Sequence, residues 1–189
     1  MAYAFYDDTI GMVGPTILDT AGPGPGPNAA GLTFGRMNFY NEELRAYDAT
    51  LGAATLVYLR YSGTIAAGTV CEITPSLSGT TLLQSATAWA GTVQTGRPLC
   101  VSLIAGTVGT YGWFVVQGNA LVTTNGTGAV GSAAYWQAAG VVSSTQANGK
   151  QMLNAVFAVA ASGTIGTTVL TATQGILLIN RPCTQGQLI

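Results

Sequence analysis

Cys71, Cys100 and Cys183 are the only thiols in 189 residues, and histidine does not occur. Without imidazole the commonest general base and the commonest metal ligand are both missing, which excludes His-dependent triads and most zinc sites. The wide cysteine spacing fits no CxxC metal or redox motif, and an odd, sparse set reads as small buried hydrophobes of a reducing compartment. Glu42 and Glu43 form an adjacent carboxylate pair. Neighbours on a helix point to different faces and no base accompanies them, so the pair reads as part of a solvated turn. The Gly-rich stretch Asn125–Gly131 lacks the following helix that a phosphate cradle requires, and reads as a β-turn loop. Its sequon, Asn125-Gly126-Thr127, follows no secretion signal, so glycosylation is not expected. Arg97 and Arg181, each followed by proline in a nearly charge-free region, are expected to meet carbonyls or a subunit's carboxylate rather than a substrate anion. The chain is therefore expected to be no enzyme and to need no cofactor or metal.

A platform for sugars or bases could be built from Tyr111, Trp113, Phe114, Tyr135 and Trp136. In the run YGWFVV, Trp113 and Val115 fall on one strand face and Phe114 and Val116 on the other. At least one aromatic must therefore face away from any single core, toward a second sheet, a neighbouring subunit or a ligand.

The elements that must position these residues follow from composition. Only 7% of residues are charged, 48% are hydrophobic and 26 are Gly, so the surface has to be made of Thr, Ser, Asn, Gln and backbone. A net charge of −1 offers no long-range attraction to nucleic acid or anionic lipid, and neither partner is expected. No apolar run has the length and purity of a membrane helix, and Asp7 and Asp8 stand where a signal peptide would be basic, so the chain reads as soluble and made in the cytoplasm. The first 72 residues hold three arginines against seven acids, net −4, while the rest carry only Arg97, Lys150 and Arg181.

Residues 1–28 open with Tyr3, Phe5 and Tyr6 and end in the alternating Gly-Pro stretch Ala21–Pro27. Pro23, Pro25 and Pro27 forbid helix and central strand, which predicts an extended arm. Its apolar side chains would gain by burial on its own domain or on a neighbouring subunit, so the arm is expected to contribute binding rather than core stability. Residues 29–53 read as a connecting segment in which Asn41 caps one or two helical turns within Asn41–Tyr47.

From residue 54 to 189 short β-branched and aromatic runs alternate with Gly, Ser, Thr and Asn. Candidate strands are Ala54–Tyr61, Thr69–Ile73, Pro98–Leu103, Gly112–Gln117, Ala120–Thr124, Ala133–Gln137, Val141–Ser144, Met152–Val159, Thr167–Thr171 and Gly175–Ile179. They predict an all-β antiparallel sandwich or barrel, with the arm and at most one short helix attached. The tetrapeptide AGTV recurs at Ala67–Val70, Ala90–Val93 and Ala105–Val108 with unequal spacing, which indicates reused turn-into-strand chemistry rather than a solenoid.

Four segments, AAGTVCEI (Ala66–Ile73), GRPLCVSL (Gly96–Leu103), YGWFVVQGNALV (Tyr111–Val122) and AVGSAAYWQAAGVVSS (Ala129–Ser144), occur in an order that resembles the small β-rich decoration, or cement, proteins of tailed-phage capsids. The resemblance covers about two thirds of the chain. It implies a structural virion protein that binds the capsid exterior, with the major capsid protein as partner and a dimer or trimer as its own state, assembled in the host cytoplasm. A phage tail, fibre or other adhesive β module is the alternative. Partner contacts are expected from Tyr3, Phe5, Tyr6, Ile10, Met12, Ile17 and Leu18 of the arm, with Arg36 and Arg45.

Overall fold

The computed structural model describes residues 3–5, 43–78, 81–92 and 95–186. Among them there is no helix. The strands are β1 (Ala4–Phe5), β2 (Glu43–Asp48), β3 (Gly52–Tyr61), β4 (Val70–Ser78), β5 (Thr81–Ala88), β6 (Leu99–Ser102), β7 (Tyr111–Thr123), β8 (Ala133–Ala138), β9 (Val141–Ser143), β10 (Gln151–Val159), β11 (Thr164–Ile165), β12 (Thr168–Val169) and β13 (Gln174–Thr184).

Eleven strands form one sheet in the order β1-β2-β3-β5-β4-β6-β7-β13-β10-β8-β9, and β11 and β12 make a separate ribbon. An additional pairing of β3 with β7 closes β3, β5, β4, β6 and β7 into a five-stranded ring. Closure leaves no free edge within the ring, while the sheet as a whole ends on β1 and β9. All the ladders are antiparallel except β3–β5, where Arg60 and Tyr61 run parallel to Ser85 and Ala86.

Strand alternation splits the core in two. Val57, Leu59, Tyr61, Cys71, Ala86, Cys100, Phe114 and Val116 fill the ring. The opposite face of the same strands, including Leu56, Tyr58, Val70, Val101, Trp113 and Val115, joins a larger cluster with Met152, Phe157, Ile176 and Ile179 of β10 and β13. The two faces of YGWFVV thus serve two cores of one chain. Trp113 and Phe114 are buried, Tyr111 stacks on Tyr58 with centroids 6.0 Å apart, and Lys150 Nζ lies 3.9 Å from the Trp136 ring. Burial removes Trp113 and Phe114 from any exposed platform, while Tyr111, Tyr135 and Trp136 are half-buried.

β7 is the strand both halves share. It pairs with β3 over its first part, and with β6 and then β13 on its other edge. Gly118, at φ +106°, lies between Ala54 of β3 and Ile179 of β13. The separate strands expected at Gly112–Gln117 and Ala120–Thr124 are one strand, irregular near this glycine.

The ring is locked by two loops related by an approximate two-fold. Ile65 and Gly106 exchange both backbone hydrogen bonds, each 2.9 Å. Tyr61 N–H donates to Thr110 (2.8 Å) as Ser102 N–H does to Thr69 (3.0 Å), and Gly68 and Gly109 donate to Ser102 and Tyr61 at 2.8 and 3.0 Å. The two glycines hold equivalent turn positions at φ +76° and +85°, where a side chain would be strained. The matching pair is therefore Gly68-Thr69 with Gly109-Thr110, three residues away from the match that the AGTV repeats imply.

The helix expected within Asn41–Tyr47 is a strand over its described part, Glu43–Asp48. Pairing from Glu43↔Val57 to Asp48↔Gly52 overrides the local preference, and the Asp48 carboxylate accepts the N–H groups of Thr50 and Leu51 at 2.7 and 2.8 Å to shape the turn. Residues 43–53 are thereby β2, a turn and the start of β3 rather than a connecting segment outside the sheet.

Burial raises the pKa of Tyr3, Tyr61, Cys71 and Cys100 above their ordinary values. These groups stay protonated when folded, whereas in the unfolded chain the thiols ionise above their ordinary value of 9.0 and the tyrosines above 10.0, so each contribution to stability is complete below that ordinary value and is lost as pH rises above it. Above that point each affected group should cost about 1.4 kcal/mol per pH unit. A melting series from pH 7 to 11 should show a thermal midpoint that falls progressively above pH 9. A midpoint constant to pH 11 would contradict the burial of these groups. At pH 8 the half-buried Cys183 should react with a maleimide in the folded protein, whereas Cys71 and Cys100 should wait for unfolding.

Candidate docking face and barrel mouth

The exposed face of β10, β13, β7, β3 and β2 carries two kinds of side chain in register. Asn180, Gln117, Thr55 and Arg45 stand opposite one another across β13, β7, β3 and β2, forming an uncharged polar row that ends on a guanidinium. Beside it Val156 and Leu178 are direct cross-strand partners, 40% and 48% exposed. On the far side Tyr47, also 48% exposed, is opposite the exposed Ala53. A shallow groove of about 750 Å³ runs along this face between Arg45 and Leu178. An apolar pair and an aromatic flanking hydrogen-bonding amides is the composition of a protein-contact surface.

Of the residues expected to bind partners, Arg45 lies in this groove. Tyr3 does not face outward: it is 4% exposed, belongs to the larger core, and donates its hydroxyl hydrogen to the Asn119 carbonyl oxygen. Asn119 in turn donates from Nδ2 to the Leu51 carbonyl oxygen at 2.8 Å. For Tyr3, then, the chain's own body is the dock. The backbone of Phe5 pairs with Ala46. The Phe5 side chain and Tyr6, Ile10, Met12, Ile17, Leu18 and Arg36 lie outside the described residues.

Both isolated arginines meet carboxylates of their own chain. Arg97 Nη1 donates to Glu72 Oε2 at 2.9 Å, holding a side chain that is only 6% exposed. Arg181 grips Glu43 with both Nη atoms, at 2.8 and 2.6 Å. The hydrogen bonds that Arg181 donates to Glu43, reinforced by the carboxylate's charge, raise the Arg181 pKa. This second pair stands at the rim of a cavity of about 540 Å³ where the five-stranded ring opens. The lining was not visible in the sequence, because Glu43 and Arg181 are 138 residues apart.

The architecture defines an all-β protein organised about a closed five-stranded ring, with no cluster of His, Cys, Asp or Glu able to hold a metal among the described residues. Comparison with protein-family models, curated proteins and solved structures finds no match to this chain.

Proposed function

We propose that the protein is a decoration protein of a phage capsid, binding the outer surface of the shell and bridging neighbouring major capsid protein subunits. The observation that carries the reading is the docking face, where Val156, Leu178 and Tyr47 lie exposed beside the uncharged row from Asn180 to Arg45. Such a surface suits a wet, hydrogen-bonded protein contact, and repeated modest contacts on a symmetric lattice add through avidity. The closed ring supports the reading by supplying a rigid scaffold on which a flat face can be presented. On the shell the protein acts as a dimer or trimer, or as copies brought together by the lattice.

The face can be tested without disturbing the core. Leu178→Asp, at an exposed position, should leave the thermal midpoint within about 2 °C of the parent while weakening binding to purified shells at least tenfold, about 1.4 kcal/mol or more. Unchanged shell binding by this variant, or no shell binding by the parent protein, would refute the assignment.

A further inference from the structure

The cavity at the open end of the ring is lined by Ile73, Val116 and Pro182, with the exposed Pro75 and Pro98 at its mouth. Its volume, about 540 Å³, falls in the range of small-molecule sites, which often occupy the mouths of β-barrels.

A distortion of β13 brings a charge to this rim. Cys183 is opposite Leu153 and Ile179 is opposite Ala155, so Asn180, Arg181 and Pro182 together face the single residue Asn154. The bulge places Arg181 at φ +46°, a left-handed conformation unfavourable for a long side chain, and directs its guanidinium to Glu43. Arg181 and Glu43 side chains are 59% and 37% exposed. An exposed ion pair returns little stability, so the pair by itself does not account for a strained backbone. What the bulge achieves is a planar, bidentate donor fork above an apolar pocket, the geometry that recognises carboxylate.

We propose that the barrel mouth binds a small apolar monocarboxylate, with its hydrocarbon part among Ile73, Pro75, Pro98, Val116 and Pro182 and its carboxylate on Arg181 in the seat that Glu43 takes. Glu43 is then the built-in competitor. Its exchange for a ligand carboxylate preserves the two hydrogen bonds of Arg181 and adds burial of the ligand's apolar part. The proposal is independent of the capsid reading, since it is tested on the isolated chain.

The opposed roles of Arg181 and Glu43 give the test. The full chain is titrated calorimetrically at pH 7 with sodium octanoate and, separately, with 1-octanol, and the rate of Cys183 alkylation is followed as a local reporter because Cys183 lines the cavity. Octanoate should bind and slow Cys183 alkylation at least fivefold. Arg181→Gln should weaken octanoate at least tenfold and leave octanol unchanged, whereas Glu43→Gln should tighten octanoate at least threefold. Circular dichroism establishes that each variant is folded. Gln84→Trp, filling the mouth from an exposed position, should abolish both ligands, and it carries the test if Arg181→Gln does not fold. Absence of octanoate binding, weakening by both Arg181→Gln and Glu43→Gln, or undiminished binding to Gln84→Trp would each overturn the assignment.

Discussion

Gly118→Ala is expected to lower the thermal midpoint by roughly 10 °C, equivalent to about 3 kcal/mol or more. A Cβ there would lie 2.5 Å from the Ala53 carbonyl oxygen and 2.9 Å from Ala54 Cα. Both are backbone atoms of a paired strand and cannot swing away as a side chain would. The position also has φ +106°, which alanine adopts only under strain. Relief would require β7 to separate from β3, the pairing that closes the ring, or from β13 on its other edge. Gly52→Ala is the control: φ is +82°, but no atom lies within 4 Å of the added methyl, so it should cost about 1 kcal/mol. Equal losses for the two variants, measured by thermal or urea unfolding, would contradict the close approach at Gly118.

Trp89→Ala should be at least as damaging, at roughly 3 to 5 kcal/mol. Trp89 is fully buried in the larger core and its backbone fastens three segments: its N–H donates to Val70 at 2.9 Å, and its carbonyl oxygen accepts from Gly140 N–H at 2.9 Å and from Trp136 Nε1 at 3.0 Å. Alanine keeps the main-chain bonds but leaves a cavity under them. Trp89→Phe separates volume from polarity. The buried indole N–H has no partner among the described residues, so phenylalanine gives up no hydrogen bond there and should cost less than half as much as alanine. A phenylalanine variant as unstable as the alanine one would mean that the indole nitrogen is bonded after all.

The residues that announced the fold were those with local consequences. Gly-punctuated runs such as ATLVYLRY and MLNAVFAV alternate over a few residues, and both became strands close to the expected bounds. That YGWFVV needs an apolar environment on each face was also legible, but a second sheet, a neighbouring subunit and a ligand all remained open until the ring placed Phe114 and Val116 in a core of the same chain. What escaped depends on distant partners. TLLQSATA, poor in β-branched residues, is β5 because β4 pairs along its whole length, and its short parallel contact with β3 closes the ring. RMNFYNEELRAYD reads as a helix start until β3 is placed beside Glu43–Asp48.

The proposed docking face was less visible than the fold. Leu178 and Val156 look like core residues in sequence, and only the register of β13 between β10 and β7 turns them outward. Arg45 was expected at a contact surface and lies in the groove, whereas Tyr3, expected there too, is consumed by the core. Its hydroxyl makes it resemble a surface anchor, yet that hydroxyl is satisfied by Asn119 inside the molecule.

The capsid assignment is tested most directly by counting. Particles of a phage that encodes this chain are purified, the protein is quantified against the major capsid protein, and its density is located by cryo-electron microscopy. The prediction is on the order of hundreds of copies per particle on the outer shell, in register with the capsid lattice, with the face around Leu178 turned toward the capsid subunits. A few copies confined to the tail or a fibre, or none in the particle, would contradict it.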